Sequence, residues 1–395
     1  MLYFDNAATT PMRPQVLKAM LPYMKEKFYN PSSVYAPARR VRSALDDARV
    51  EIANAINAKT EEIFFTSGGT ESDNWAIKGV LEAFRSKNGN AAPHIITSAT
   101  EHHGILYVCK YLERQGVEVT YLPVDGEGFV SPNALDAAIK PNTALASVML
   151  ANNEVGTIQP MARLTEGTRR HGIPFLTDAV QAVGHIPVDV EALGVDLLSL
   201  SAHKFGGPKG VGVLYIKRGT PILPIFQGGA QERSRRAGTE NVAGIVGMGA
   251  AIKLATEELP TENPRITALR DKLTDTILKT IPHTRLNGPL SHDRLPGNIN
   301  VSFRFIEGES LLLHLDMKGC CASTGSACSS GALEPSHVLM ALGLDHAQAN
   351  GAIRFSLGAG NTEADIPALM QILTPAVQKL RDLSPLYDDF LKKEK

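Results

Sequence analysis

A lysine and a cysteine, far apart in the chain, carry its strongest chemical signals. Lys204 lies in SAHKFGGPKG at 201–210, a polar, glycine-rich turn between two apolar runs. Cys328 lies in STGSACSSG at 323–331, a run of small residues. A lysine at the end of an apolar strand is costly to bury as a cation, and lowering its pKa or forming an imine removes that cost. The segment around Cys328 has no side chain with which to pack a core, so it reads as an exposed, flexible arm bearing a thiol. An amine that could hold an aldehyde cofactor, paired with a thiol on an arm, points to covalent sulfur chemistry.

The elements that would position these groups alternate in type. Segments 61–66 (EEIFFT), 94–98 (HIITS), 118–122 (EVTYL), 145–150 (LASVML), 173–177 (IPFLT), 196–200 (DLLSL) and 211–216 (VGVLYI) read as strands. Segments of helical period, such as 70–87 and 161–171, lie between most of them. The alternation predicts an α/β fold: a mostly parallel seven-stranded sheet covered by helices, binding ligands at the C-terminal strand ends. After Gly238 the pattern becomes a long small-residue helix at 240–258, a polar break LPTENP at 259–264, and a mixed α+β remainder. The break sets the expected boundary between a large domain at 12–259 and a smaller one formed by 1–11 and 260–395, since a single core divides beyond roughly 250–300 residues.

Further polar residues fall at the predicted strand ends. SGGTES at 67–72 combines glycines with a helix start whose free N–H groups suit a phosphate, although a capped strand–helix turn accounts for it as well. His102 follows the second strand, and NNEVG at 152–156 follows the fourth; hydrogen bonding and turn chemistry explain both equally well. Asp178 follows the fifth strand, where a carboxylate is costly unless paired, and a pyridinium nitrogen would be a suitable partner. Gln181 shares its side if a helical turn begins there.

Composition narrows the partners. Lys and Arg number 40 against 41 Asp and Glu, for a net charge of −1, which gives no standing attraction to nucleic acid or an anionic membrane. No run of about 18 apolar residues occurs, and the N-terminus lacks a basic region followed by an apolar stretch. Four cysteines, two of them the adjacent Cys320 and Cys321, do not form a disulfide framework and suggest a reducing, cytoplasmic setting. Zinc held by Cys320, Cys321, Cys328 and His337 is disfavoured, because adjacent cysteines rarely share one ion and no Cys-x-x-Cys exists. Cys109, Cys320 and Cys321 read as small core residues.

Taken together, FDNAATTP at 4–11, NPSS at 30–33, TSGGTESDN at 66–74, NNEVG at 152–156, TDAVQ at 177–181, RRAGTEN at 235–241, GSAC at 325–328, LEPSHVL at 333–339 and IRFSLG at 353–358 resemble the NifS/IscS type of cysteine desulfurase. These are fold-type I pyridoxal-phosphate enzymes related to the class V aminotransferases. The resemblance implies that Lys204 holds the cofactor, Asp178 pairs with the pyridine nitrogen, Gln181 with the ring hydroxyl oxygen, and His102 stacks on the ring. It places Gly69, Thr70, Ser201 and His203 at the phosphate, with Thr239 reaching in from a second subunit of a homodimer. It gives Arg354, with Asn153, the carboxylate of the substrate, L-cysteine. Lys204 is then the base at the α-carbon, His102 a proton carrier at the substrate thiol, and Cys328 the thiolate that keeps the sulfur as a persulfide while L-alanine leaves.

The form of the cysteine segment resembles the branch with the longer loop, which serves iron–sulfur cluster assembly and often tRNA thiolation. An iron–sulfur scaffold protein is therefore the implied partner, with Cys328 transiently sharing a cluster, and no resident metal is implied. Two departures stand out: Ala230 replaces a histidine frequent in relatives, and GAGN at 358–361 lacks an arginine-plus-aromatic pair. A selenocysteine lyase or an aminotransferase would keep Lys204 and Asp178 without needing Cys328 for its own turnover.

Overall fold

A computed structural model describes residues 1–89, 92–290, 292–324 and 335–394. Its strands are β1 (Leu2–Tyr3), β2 (Ile63–Thr66), β3 (His94–Ser98), β4 (Glu118–Leu122), β5 (Thr143–Ser147), β6 (Phe175–Asp178), β7 (Leu197–Ser201), β8 (Gly212–Ile216), β9 (Thr284–Leu286), β10 (Asn298–Phe303), β11 (Cys320–Cys321) and β12 (Ala352–Ser356). Seven of them form one sheet in the order β2-β8-β7-β6-β5-β3-β4. Neighbours from β7 through to β4 pair in parallel, and β8 runs antiparallel to both β7 and β2. All residues of β2, β3, β5, β6, β7 and β8 are buried, as expected of short apolar runs covered on both faces by helices.

β3 and β4 coincide with the sequence expectation, and most other strands shift by one or two residues. The expected strand at 145–150 instead begins at Thr143 and its regular pairing ends at Ser147, although the Val148 and Leu150 N–H groups still donate to the Leu176 and Asp178 carbonyls of β6 before the chain reaches Asn152 and Asn153. Glu61 and Glu62 belong to a short 3-10 turn, Thr60–Glu62, whose Lys59–Glu62 capping box starts β2.

The larger correction concerns the polar break. Residues 259–264 are helical, inside one 39-residue helix, Val242–Thr280, which runs through Pro260 and Pro264. Each proline removes a backbone donor, yet packing at both ends overrides that loss. Ala251, Ile252 and Ala255 join the apolar cluster beneath the large sheet. Ile266, Leu269, Leu273 and Ile277 join a second cluster with Phe4, Ile299, Val301 and Phe355. Arg13 pairs with Glu258 at 2.6 Å, and Arg265 Nη1 donates to the Asn361 carbonyl at 2.7 Å, holding the helix on either side of the prolines.

The second cluster surrounds an antiparallel sheet, β12-β10-β9, and a parallel pair of β1 with β11. The first residues of the chain thus pair with residues beyond 319, which sets Asn6 and Ala7 against Ser356 of β12 and brings Ala7 to Gln181 and Lys204, just past the ends of β6 and β7.

Candidate active site

The C-terminal ends of the parallel strands open into a cavity of about 400 Å³. Gly69, Thr70, His102, Asn153, Asp178, Gln181, Ser201, His203, Lys204 and Arg354 all line it. Every predicted site residue among those described reaches this one place except Thr239, which is exposed on the single chain and does not line the cavity. Cys328 lies outside the described residues.

β7 ends at Ser201 and passes into the 3-10 turn Ala202–Lys204, which aims Lys204 across the sheet. Its Nζ donates to the carbonyls of Ala7 at 2.7 Å and Ala8 at 2.9 Å. Gln181 Nε2 donates to the same Ala7 oxygen at 3.0 Å. His203 Nδ1 lies 3.2 Å from Thr9 Oγ1, and burial, with the charges of Lys204 and Lys209, lowers its pKa to about 4, so its ring is neutral.

Asp178 closes β6. Burial raises its pKa, against the opposing pull of His102, the Val180 N–H at 2.8 Å and Lys204. Three further carboxyl groups, those of Asp73, Glu101 and Glu154, share the cavity. Asp73, on the helix Gly69–Asn88, accepts from Ser199 Oγ at 2.6 Å; burial, then the charge of Asp178, raises its pKa well above the carboxylate range. Glu101 Oε1 accepts from the Met149 N–H at 2.8 Å, and burial pushes this residue up to about 8. Burial thus disfavours the charge on Asp73 and Glu101, whereas His102, the Val180 N–H and Lys204 all favour the Asp178 anion. Neither was singled out in the sequence, although the argument that marked Asp178, a carboxylate beside a buried strand end, applies equally to Glu101.

Arg354 projects from β12 and is only 2 % exposed. Nη1 donates to the Asn153 carbonyl at 2.9 Å and Nη2 to Asp5 Oδ1 at 3.1 Å, while its buried Nε has no hydrogen bond among the described residues. His337 Nε2 lies 3.0 Å from the Glu101 carbonyl, and its ring packs 4.8 Å from that of His103. The residue before it, Ser336, caps the helix His337–Ala341 and donates to the buried Glu154 carboxylate, so a polar seam ties this helix to the cavity rim.

The donor set fits pyridoxal phosphate. At the head of the helix Gly69–Asn88, Gly68 takes φ +154° and a Cβ on Gly69 would sit 2.8 Å from Val180 Cγ2, so both positions favour glycine at a helix start whose first N–H groups suit a phosphate. A buried carboxyl suited to a ring nitrogen and an amine suited to an aldehyde stand across the same cavity. Among the described residues no group of three or more His, Cys, Asp or Glu could hold a metal ion, and no helix is long and apolar enough to cross a membrane.

Comparison with known proteins agrees with this arrangement. The family model for aminotransferase class-V matches residues 2–369. The cysteine desulfurase IscS of Methanosarcina thermophila is 55% identical over 385 residues, covering 98% of this chain and 94% of that protein. A solved NifS-like protein superposes with a TM-score of 0.88 at 39% identity, over 96% of this chain and 99% of that one. A solved structure of SspA in complex with cysteine matches with a TM-score of 0.79 at 35% identity, over 90% and 99%. By end-to-end sequence likeness, shared architecture and the contents of its cavity, this chain belongs to the class-V aminotransferase family, in its NifS- and IscS-type cysteine desulfurase branch.

Proposed function

We propose that this cysteine desulfurase works through Lys204, His102 and Cys328, with Asp178 and Arg354 setting the geometry. The observation that carries the reading is the convergence of Lys204, Asp178, the Gly68–Gly69 helix start, His102 and Arg354 on one cavity. Bound pyridoxal phosphate supplies an electron sink for the α-carbon of an amino acid. Gly69, Thr70, Ser201 and His203 would hold its phosphate, joined by Thr239 of a second subunit; Asp178 and Gln181 would hold its ring.

Arg354 offers two parallel N–H groups to the cysteine carboxylate, with Asn153 beside it. Lys204 Nζ takes the α-proton. His102 serves the substrate thiol. Cys328 Sγ attacks the substrate sulfur; the Cβ–S bond breaks, and its electron pair stays on carbon, which regains a proton. L-Cysteine and a thiol thus become L-alanine and a persulfide, with no outside oxidant or reductant.

The reading extends to a homodimer and a protein acceptor. Exposed Leu17, Met24, Phe28 and Val34 near the N-terminus favour a second copy of the chain as their cover. The IscS name of the relatives, together with the form of the Cys328 segment, favours an iron–sulfur scaffold protein in a reducing, cytoplasmic compartment. The division into 12–259 and 1–11 with 260–395 is supported by two apolar clusters that keep to one side each apart from Leu295, while a smaller cluster joins Val155 to Val338 and Leu339 across the boundary.

The deciding experiment incubates the protein with L-cysteine without reductant, then measures alanine and the mass of the Cys328 peptide. One added sulfur with alanine formed, both lost in Lys204→Ala, is the expected result. Alanine without a modified Cys328 would mean that sulfur leaves directly, and neither product would move the assignment to another class V reaction.

A further inference from the structure

We infer that Gly104 is a positioning residue that fixes the tautomer of His102, so that His102 meets substrate as an Nε2–H donor and not as a base. The inference rests on the reading of His102 as the group that serves the substrate thiol. His102 is the N-cap of the helix His103–Glu113, and its Nδ1 accepts the Gly104 N–H at 3.0 Å. A nitrogen that accepts from an amide carries no proton of its own, so in the neutral ring the proton sits on Nε2. Protonating Nδ1 would set N–H against N–H and strip the helix of its cap.

The identity of residue 104 follows from the same contact. Gly104 lies in the first turn of an ordinary right-handed helix, where glycine is less favourable than alanine and no positive φ requires it. Space favours it instead, since a side chain here would press its neighbours back by a few tenths of an ångström. A Cβ at this position would lie 3.1 Å from His102 Nδ1 and 3.2 Å from Asp73 Oδ2. Glycine therefore lets the imidazole close onto the backbone N–H, with the Asp73 carboxyl on the other side.

Among the described residues, the ionisable groups that share the cavity with His102 include Asp178, Asp73, Glu101, Glu154, Lys204 and the His103 ring, whose centre is 6.3 Å away. Asp178 favours a doubly protonated imidazole, while Lys204 opposes it. Burial disfavours the charged form of both Asp73 and Glu101. The Gly104 N–H, which only an unprotonated Nδ1 can accept, favours the neutral ring. In this tautomer His102 can donate to the substrate sulfur but cannot take the thiol proton, so cysteine would enter as the thiolate, its thiol proton left to solvent.

The test uses cofactor-loaded enzyme with ring-15N-labelled histidine, the His102 signals being identified by their loss in His102→Gln. The expected pattern is an unprotonated Nδ1 and a protonated Nε2 across neutral pH. An Nδ1–H tautomer, or a doubly protonated ring, would overturn the inference. In Gly104→Ala the helix itself is favoured, so a purely structural role predicts unchanged or raised thermal stability and unchanged turnover. The inference predicts a mixed tautomer signal and kcat lower by about tenfold, the scale of one hydrogen bond to a reacting group, with KM for cysteine within about twofold. Unchanged signals and kcat in that variant would also overturn it. The spectrum of the unmodified enzyme decides the matter even if the variant fails to fold. Because that spectrum does not depend on alanine release, failure of the desulfurase reading would be seen separately.

Discussion

Arg354 donates to Asp5 across 3.1 Å, so the guanidinium placed to receive the substrate carboxylate already faces a carboxylate of its own chain. Asp5 sits on the N-terminal segment that β1 delivers across the cavity, and Arg354 on β12. The pair keeps a buried cation from standing alone, at the cost of competition for the substrate. Asp5→Asn keeps an acceptor and removes the competing charge. We expect KM for cysteine to fall about threefold with kcat nearly unchanged, read from steady-state alanine formation. Arg354→Lys, which loses the planar fork, should raise KM by about tenfold or more.

Lys204 has two roles in this geometry: an amine for the reaction and a tie to the Ala7 and Ala8 carbonyls. Lys204→Ala should abolish alanine formation by about a thousandfold or more, and should also lower the melting temperature, since it unfastens the N-terminal segment. Lys204→Arg restores a cation that can reach the same carbonyls but cannot form an imine. Recovery of stability without recovery of activity in that variant separates the two roles.

Glu101 gives a pH signature. Its pKa rises from an ordinary 4.5 to about 8 in the folded chain, mainly by burial. Between those values the folded state keeps a proton that the unfolded state releases, so this residue makes stability fall as pH rises through that window. Glu101→Gln keeps the shape and an acceptor for the Met149 N–H without the titration. Its melting temperature relative to the unmodified protein should therefore climb from about pH 5 to about pH 8; a constant difference over that span would contradict the assignment.

Ser336 anchors the helix His337–Ala341 twice, by capping the Leu339 N–H at 3.2 Å and by donating to the Glu154 carboxylate. Ser336→Ala removes a cap and deprives a buried carboxylate of a donor. We expect a loss of about 1–3 kcal/mol in denaturant unfolding.

Much of this site was legible in the sequence because parallel α/β folds put loop chemistry at the C-terminal strand ends, and strand ends are marked by where apolar runs stop. Lys204, Asp178 and His102 were found in that way. Asp73 gave no such signal: it lies within the first turns of a helix, where an acid reads as solvated, and only the approach of Ser199 makes it part of the site. Asp5 likewise acquires its meaning from a pairing with a residue near the far end of the chain. The helix at 242–280 was misread for the converse reason. Two prolines and polar neighbours are strong local evidence for a break, and the contacts that outweigh them come from Arg13, Asn361 and the two clusters, none of which is local.

That helix also sets how the two halves of the molecule can move. At about 1.5 Å per residue its 39 residues reach roughly 58 Å, enough to traverse both cores as a single rod. The halves therefore have no loose joint along this path, and rotation of β12, which carries Arg354, against β7, which presents Lys204, must flex the rod itself. Pro260 and Pro264 each omit one rung of its hydrogen-bond ladder, and both omissions fall in the stretch between the cores. The two prolines thus act as a spring rather than a stop: they make the rod compliant at one place and leave it stiff where it grips either core.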